Sequence, residues 1–254
     1  MRVRMIPGVL AALCLAALGA FGQGKTQAKI VVLSTNAVKS AMEKMLPQAE
    51  KAVGRSLAVE YSATAALKQR IAGGENFDVA ILTRDALDDL VKQKKMTAGA
   101  NPDVARGGIG VGIRAGAAKP NIATGDALKQ TLLKAKSITY TENGASRTYI
   151  DAMLKKMGIA DQVKSKTMLE PPGRAPELVG ESKAEIVITL MSEILPVKGV
   201  QLAGPLPAEY QNYVVLAAGA SASTKETAAV QALVAFLKSA AAGQVYRDQG
   251  LEPR

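Results

Sequence analysis

The chain of 254 residues contains no histidine, no tryptophan and a single cysteine, Cys14, and its aromatic content is only 4%. Those absences exclude much chemistry. Without histidine or paired cysteines there is no zinc site of the His/Cys type, no Ser-His-Asp or Cys-His nucleophile, no c-type haem attachment and no disulfide scaffold. Proton transfer would fall to Asp, Glu, Lys, Tyr or Arg. What is present, 48% hydrophobic with 21% charged residues, is globular composition. The length suits one large domain or two lobes of about 100 residues each, with burial enough for a real core.

The N-terminus reads as an address. Arg2 and Arg4 form a short positive region, Ile6 to Leu18 is apolar apart from Pro7 and Gly8, and Ala20-Phe21-Gly22 offers small residues for cleavage. Residues 1–22 are therefore expected to be a secretory signal peptide. An uncleaved anchor is the alternative, but the apolar run is short of the roughly 20 residues a spanning helix needs. Cys14 follows Leu13 and sits inside the apolar run, which argues against a lipid attachment site. Cleavage after Gly22 removes the only cysteine and lowers the formal charge from +10 to +8. A thiol-free chain is indifferent to an oxidising compartment. Its basic groups, densest at Lys92, Lys94, Lys95 and at Lys164 and Lys166, are not interleaved with aromatics. They read as solvated faces, and no nucleic-acid partner is expected.

Beyond residue 28, short β-type runs alternate with amphipathic helical stretches, which predicts an α/β fold with a mostly parallel sheet. Strands are expected at Lys29–Leu33, Leu57–Tyr61, Phe77–Leu82, Ile109–Ile113, Ser137–Tyr140, Glu185–Ile188 and Tyr213–Leu216. Helices follow most of them, with Val38, Met42, Met45, Leu46 and Ala49 as one clear three- and four-residue stripe. Gly110 and Gly112 within a strand allow close approach of another segment. Two lobes, with the second inserted in the first, would account for the surplus of βα units.

Several strands end in small hydroxyl or amide residues just before a helix: Ser34-Thr35-Asn36, Ser62-Ala63-Thr64 and Gly144-Ala145-Ser146. In open α/β sheets ligands sit beyond the carboxyl ends of the strands, where helix N-termini offer unpaired N–H groups and partial positive charge. That arrangement suits a small anion held by neutral dipoles. The competing explanation is that such residues merely cap their helices. Arg174, after Pro171-Pro172-Gly173, could hold a carboxylate through two parallel hydrogen bonds. Arg147 reads as a solvated side chain, and Glu193 as a buried acid or a helix N-terminal carboxylate. Neither Gly73-Gly74 nor Gly107–Gly110 has the context of a phosphate-cradling loop.

Three segments occur in a telling order: Val32–Ala37, Thr64–Gly74 and Phe77–Thr83. Together with Gly144-Ala145-Ser146, Ala184–Ile188 and Ser192-Glu193, they resemble the molybdate-binding-like periplasmic solute-binding proteins. The resemblance implies a two-lobed periplasmic binding protein-like fold, with lobe 1 at 23–106 and 205–254, lobe 2 at 107–204, and a ligand cleft between them. It implies ligand contacts at Ser34, Thr35, Asn36, Ala37, Thr64, Ala65, Ser146 and Arg174, with no metal or cofactor. It also implies delivery of the anion to the membrane permease of an ABC transporter; the leader points to the periplasm, and the lack of a large aromatic or apolar surface signal favours a monomer. Molybdate binders of this type carry serine where Ala37 aligns and tyrosine where Leu190 aligns. The loss of two neutral donors makes an organic carboxylate partnered by Arg174 plausible beside a molybdate-like oxyanion, and the expected ligand is a small anion of either kind. The chain is similar as well to periplasmic aconitate isomerase, an enzyme on the same scaffold, for which Glu193 is the candidate proton-transfer group.

Overall fold

The computed structural model describes residues 28–99 and 101–254. The expected signal peptide and Cys14 lie outside the described residues. In chain order the first elements are β1 (Ile30–Thr35), a 3-10 turn (Asn36–Val38), α1 (Lys39–Val53), β2 (Leu57–Ser62), α2 (Thr64–Ala72), β3 (Val79–Thr83), α3 (Arg84–Lys92) and the long β4 (Asp103–Arg114). Next come α4 (Gly125–Lys134), β5 (Ile138–Thr141), α5 (Arg147–Lys156), α6 (Ala160–Lys164), β6 (Thr167–Glu170), α7 (Arg174–Gly180), β7 (Ile186–Leu190), α8 (Met191–Ile194) and β8 (Val200–Pro205). The chain closes with β9 (Tyr213–Ala220), α9 (Thr227–Leu237), α10 (Ala240–Asp248) and β10 (Leu251–Pro253).

Local sequence explains the main elements. In β1 nearly every residue is buried, so it shows a continuous apolar run with no alternation, as a strand covered on both faces does. Helix α1 buries Ala41, Met42, Met45 and Ala49 along one stripe, and Gly54 at φ +72° ends it in the left-handed conformation that favours glycine. The Thr124 hydroxyl accepts from Ala127 N at 3.2 Å and starts α4, as its position suggests.

The strands run in the order β2-β1-β3-β9-β4-β7-β5-β6. Pairing is parallel in the flanks, where β1 joins β2 and β3, and β5 joins β6 and β7. The middle is antiparallel, with β9 against β3 and β4, and β4 against β7, β8 and β10. The expected mostly parallel sheet is thus mixed, because the segments that cross between lobes run against the βα units on either side. Strand β4 serves both lobes. Its first part pairs with β9 and β10, and its second with β7 and β8.

Glycines on β4 make room for α8. A Cβ at Gly110 would sit 2.7 Å from Met191 Cγ, and one at Gly112 would sit 2.6 Å from Val187 Cγ1 and 3.0 Å from Ile194 Cγ2. The main core runs through both lobes, from Val32 and Ile81 through Ile109 to Leu132 and Ile188. A smaller cluster joins α2 and α3 to the sheet through Leu67, Ile71, Leu87 and Leu90.

Candidate functional site

Strands β1, β3, β5 and β7 all point their carboxyl ends, Thr35, Thr83, Thr141 and Leu190, towards the interface of the two lobes, each followed by a turn or helix. The first loop is committed to the fold. The Thr35 hydroxyl accepts from Ala37 N at 3.5 Å and caps the 3-10 turn, while the Ser34 hydroxyl donates to Thr35 O at 3.3 Å. Ala37 is buried, and its carbonyl accepts from the Ser192 hydroxyl of α8 at 2.8 Å, a bond across the lobes. Asn36 is only partly buried.

The next loops differ. Helix α2 starts after Ala63, which has no side chain able to cap it, and Thr64 is its first residue. Thr64 is 9% exposed, and its hydroxyl has no hydrogen-bond partner among the described residues. Thr83 precedes α3 and Ser146 precedes α5, yet neither side chain makes a capping bond. Elsewhere Thr124 and Ser239 do cap α4 and α10. The hydroxyl residues at these three starts therefore leave N–H groups unpaired by side chains, which is what an anion site requires.

All three starts reach one cavity of about 410 Å³ between the lobes. Thr64, Ala65 and Lys68 line it from α2, and Thr83, Arg84 and Asp85 from β3 and α3. Gly144, Ala145 and Tyr149 line it from the second lobe, and Tyr213 from the start of β9. Of the residues singled out from sequence, Thr64 and Ala65 line this cavity; Ser146 is buried directly after Ala145, and Ser34–Ala37 are not among the lining residues. Sequence reasoning missed Thr83, Asp85 and the two tyrosines. Thr83 could have been found, since it closes a strand ahead of a helix as Thr35 and Ser62 do.

The cationic side chains that line the cavity, Lys68 and Arg84, are both ion-paired. Lys68 Nζ lies 2.7 Å from Asp89 Oδ2, and this hydrogen bond holds the Asp89 carboxyl below its usual range. Arg84 donates to Asp103 Oδ1 at 2.8 Å, to Asp88 Oδ1 at 3.0 Å and to Asn101 O at 2.6 Å. Asp85 has no ion-pair partner among the described residues. The positive potential on offer is that of the helix starts, roughly half an elementary charge each.

Arg174 stands apart from the cavity. At the start of α7 its guanidinium donates to Glu177 at 2.9 Å and to Glu181 at 2.5 and 2.7 Å. Arg174, then Lys183, hold the Glu181 carboxyl down to about 2. The free guanidinium expected from sequence is occupied, because Glu177 on α7 and Glu181 directly after it stand three and seven residues further on. Arg147 donates to Asp151 at 2.6 Å and lies over the Tyr140 ring, a surface brace. Glu193 lies outside the cavity lining too; burial pushes its carboxyl up, opposed by the hydrogen bond that the Thr189 hydroxyl donates to it.

Two α/β lobes joined by crossing strands, with helix starts facing a cavity between them, define a periplasmic binding protein-like architecture. The chain belongs to the bacterial extracellular solute-binding protein family, whose pattern matches residues 30–252. It is 28% identical over 230 residues to an aconitate isomerase of a Pseudomonas species, covering 88% of this chain and 87% of that one. Its fold is similar to the periplasmic molybdate-binding protein of Azotobacter vinelandii, with TM-score 0.73, 17% identity, and coverage of 88% of this chain and 98% of the other. It is similar also to the sulfate-binding protein SubI of Mycobacterium tuberculosis, with TM-score 0.68, 17% identity, and coverage of 89% and 87%. At these identities the two solved structures bear on the fold.

Proposed function

We propose that the protein captures a small organic anion, a carboxylate, in the cavity between its lobes and closes around it. The unpartnered Thr64 hydroxyl carries this reading. A buried hydroxyl without a partner costs about 1–3 kcal/mol, and an anion that accepts from it removes that cost. The N–H groups at the starts of α2, α3 and α5 supply the remaining donors, with Ala65 and the Ala145–Ser146 turn as backbone contacts. A volume of about 410 Å³ falls within the range of pockets for organic ligands. Ser34, Thr35, Asn36 and Ala37 belong to the proposal as the support of this wall, and Arg174 as a test of its edge. The lobe limits at 106/107 and 204/205, a cleaved leader over 1–22, a periplasmic monomer and delivery to an ABC transporter permease are parts of the same proposal.

The aconitate isomerase relative favours a second reading, in which the carboxylate is isomerised by proton transfer. Such chemistry needs a base within hydrogen-bond reach of the carbon acid. Asp85, which lines the cavity without an ion-pair partner, fits that role better than the shielded Glu193.

One panel decides. The purified protein is incubated with molybdate, tungstate, sulfate, citrate and each aconitate isomer, with thermal shift and aconitate interconversion both followed. At about 100 times Kd a ligand adds about 2.7 kcal/mol, a rise in Tm of roughly 5–11 °C for a chain of this size. A shift with a carboxylate and none with the oxyanions supports the reading. A shift confined to molybdate or tungstate overturns the carboxylate, and turnover establishes the isomerase.

A further inference from the structure

One edge of β4 pairs with β9 over Asp103–Gly108 and with β8 over Gly110–Arg114. Ile109 falls in the seam between those two partners, where the sheet of one lobe gives way to that of the other. A side chain closes the seam. Ile109 N donates to Gln211 Oε1 at 2.9 Å, and Gln211 Nε2 donates back to Ile109 O at 2.9 Å. The amide of Gln211 thus stands where one residue of a paired strand would stand. Its Oε1 also accepts from Asn212 N at 3.0 Å, and Leu206 N donates to Ile109 O at 3.0 Å. Gln211 lies in the second crossing segment, between Pro205 and Tyr213, and Ile109 in the first, directly after Gly107 and Gly108. One side chain therefore bridges both crossings at the place where they change lobes.

We propose that Gln211 is the hinge residue of this protein, a rung between the two crossing segments that makes them bend as one. This rests on the reading that the lobes close around a solute. Backbone rungs in β4 fix the angle of their strands, since both partners are peptide groups. A side-chain amide on three rotatable bonds keeps both Ile109 groups satisfied while the strand angle changes, and the glycines before Ile109 absorb the backbone rotation. Without the amide, Ile109 keeps only Leu206 as partner, its N–H is left unpaired, and the coupling of the two crossings at the seam between the β8 and β9 ladders is loosened.

The test uses the absence of thiols outside the leader. Lys44→Cys on α1 and Lys155→Cys on α5, both exposed, are spin-labelled, and the interlobe distance is measured by pulsed electron resonance without solute. The comparison is between Gln211, Gln211→Leu, which keeps bulk but no donor or acceptor, and Gln211→Glu, which keeps the acceptor for Ile109 N. The proposal expects a broader distance distribution in Gln211→Leu and an intermediate one in Gln211→Glu. It also expects hydrogen exchange at Ile109 to rise about tenfold in Gln211→Leu while β1 and β5 stay protected. An unchanged distribution in Gln211→Leu overturns it. Protection lost evenly across both lobes overturns it as well, by making Gln211 a general stability contact. Because no solute is present, a failure of every anion to bind would leave this outcome intact.

Discussion

Replacing Thr64 with valine separates a ligand donor from a structural hydroxyl, because the two roles predict opposite signs. The hydroxyl is buried without a partner among the described residues. Valine keeps the branched shape and removes the orphan group, which should recover part of the 1–3 kcal/mol or so that an unpaired buried hydroxyl costs. Valine at the first helical position gives back only a few tenths of a kcal/mol in propensity. The ligand-free variant should therefore melt at the wild-type temperature or above it, by roughly 2–4 °C for each kcal/mol recovered. Binding should move the other way. A hydrogen bond to a charged group contributes about 1.5–3 kcal/mol, so the Kd for the anion that shifts the wild type most should rise about 10- to 150-fold. Differential scanning fluorimetry reads the first effect and titration calorimetry the second. A variant that melts several degrees lower and binds with unchanged affinity would refute the reasoning, by showing a hydroxyl already satisfied and irrelevant to solute.

Other substitutions probe the rest of the framework. Gly112→Ala places a methyl 2.6 Å from the stiff Val187 side chain and 3.0 Å from Ile194; it should cost about 1–3 kcal/mol in thermal denaturation by pushing α8 off β4. Burial raises the Glu193 carboxyl, so the folded protein keeps a proton that the unfolded chain has released. Stability should fall as pH rises from the ordinary carboxylate range towards that raised value, and Glu193→Gln should flatten the Tm profile across that interval. Arg174→Ala should leave anion affinity unchanged, because its guanidinium is taken by Glu177 and Glu181. The same variant should return the Glu181 titration from about 2 towards its usual range, as read by carboxyl NMR; a weakened affinity would bring Arg174 back into the site.

Sequence periodicity was enough for elements that carry their own pattern. The Met42–Ala49 stripe became α1, and the apolar runs at Ile30 and Val79 became central strands. Short elements held by their neighbours left no such trace. Val200–Pro205 is β8 because β4 lies beside it, and Leu251–Pro253 is β10 for the same reason. Strand direction is likewise not a local property, which is why the antiparallel middle was hidden. At the site, a hydroxyl ahead of a helix could be spotted at Thr35, Thr64 and Ser146, but not whether it caps or stays free. That choice is made by distant partners, as when Ser192 reaches Ala37 from 155 positions away. Arg174 was legible in principle, since Glu177 stands on its own helix and Glu181 directly after it.

The place of β9 bears on when the molecule can fold. It sits between β3 and β4, so the sheet of the first lobe stays split until residues 213–220 exist. Strand β10, from the last residues, then adds to β4. A nascent chain with this wiring cannot complete the sheet of its first lobe before those residues are made, so its long-range pairings form late and slowly.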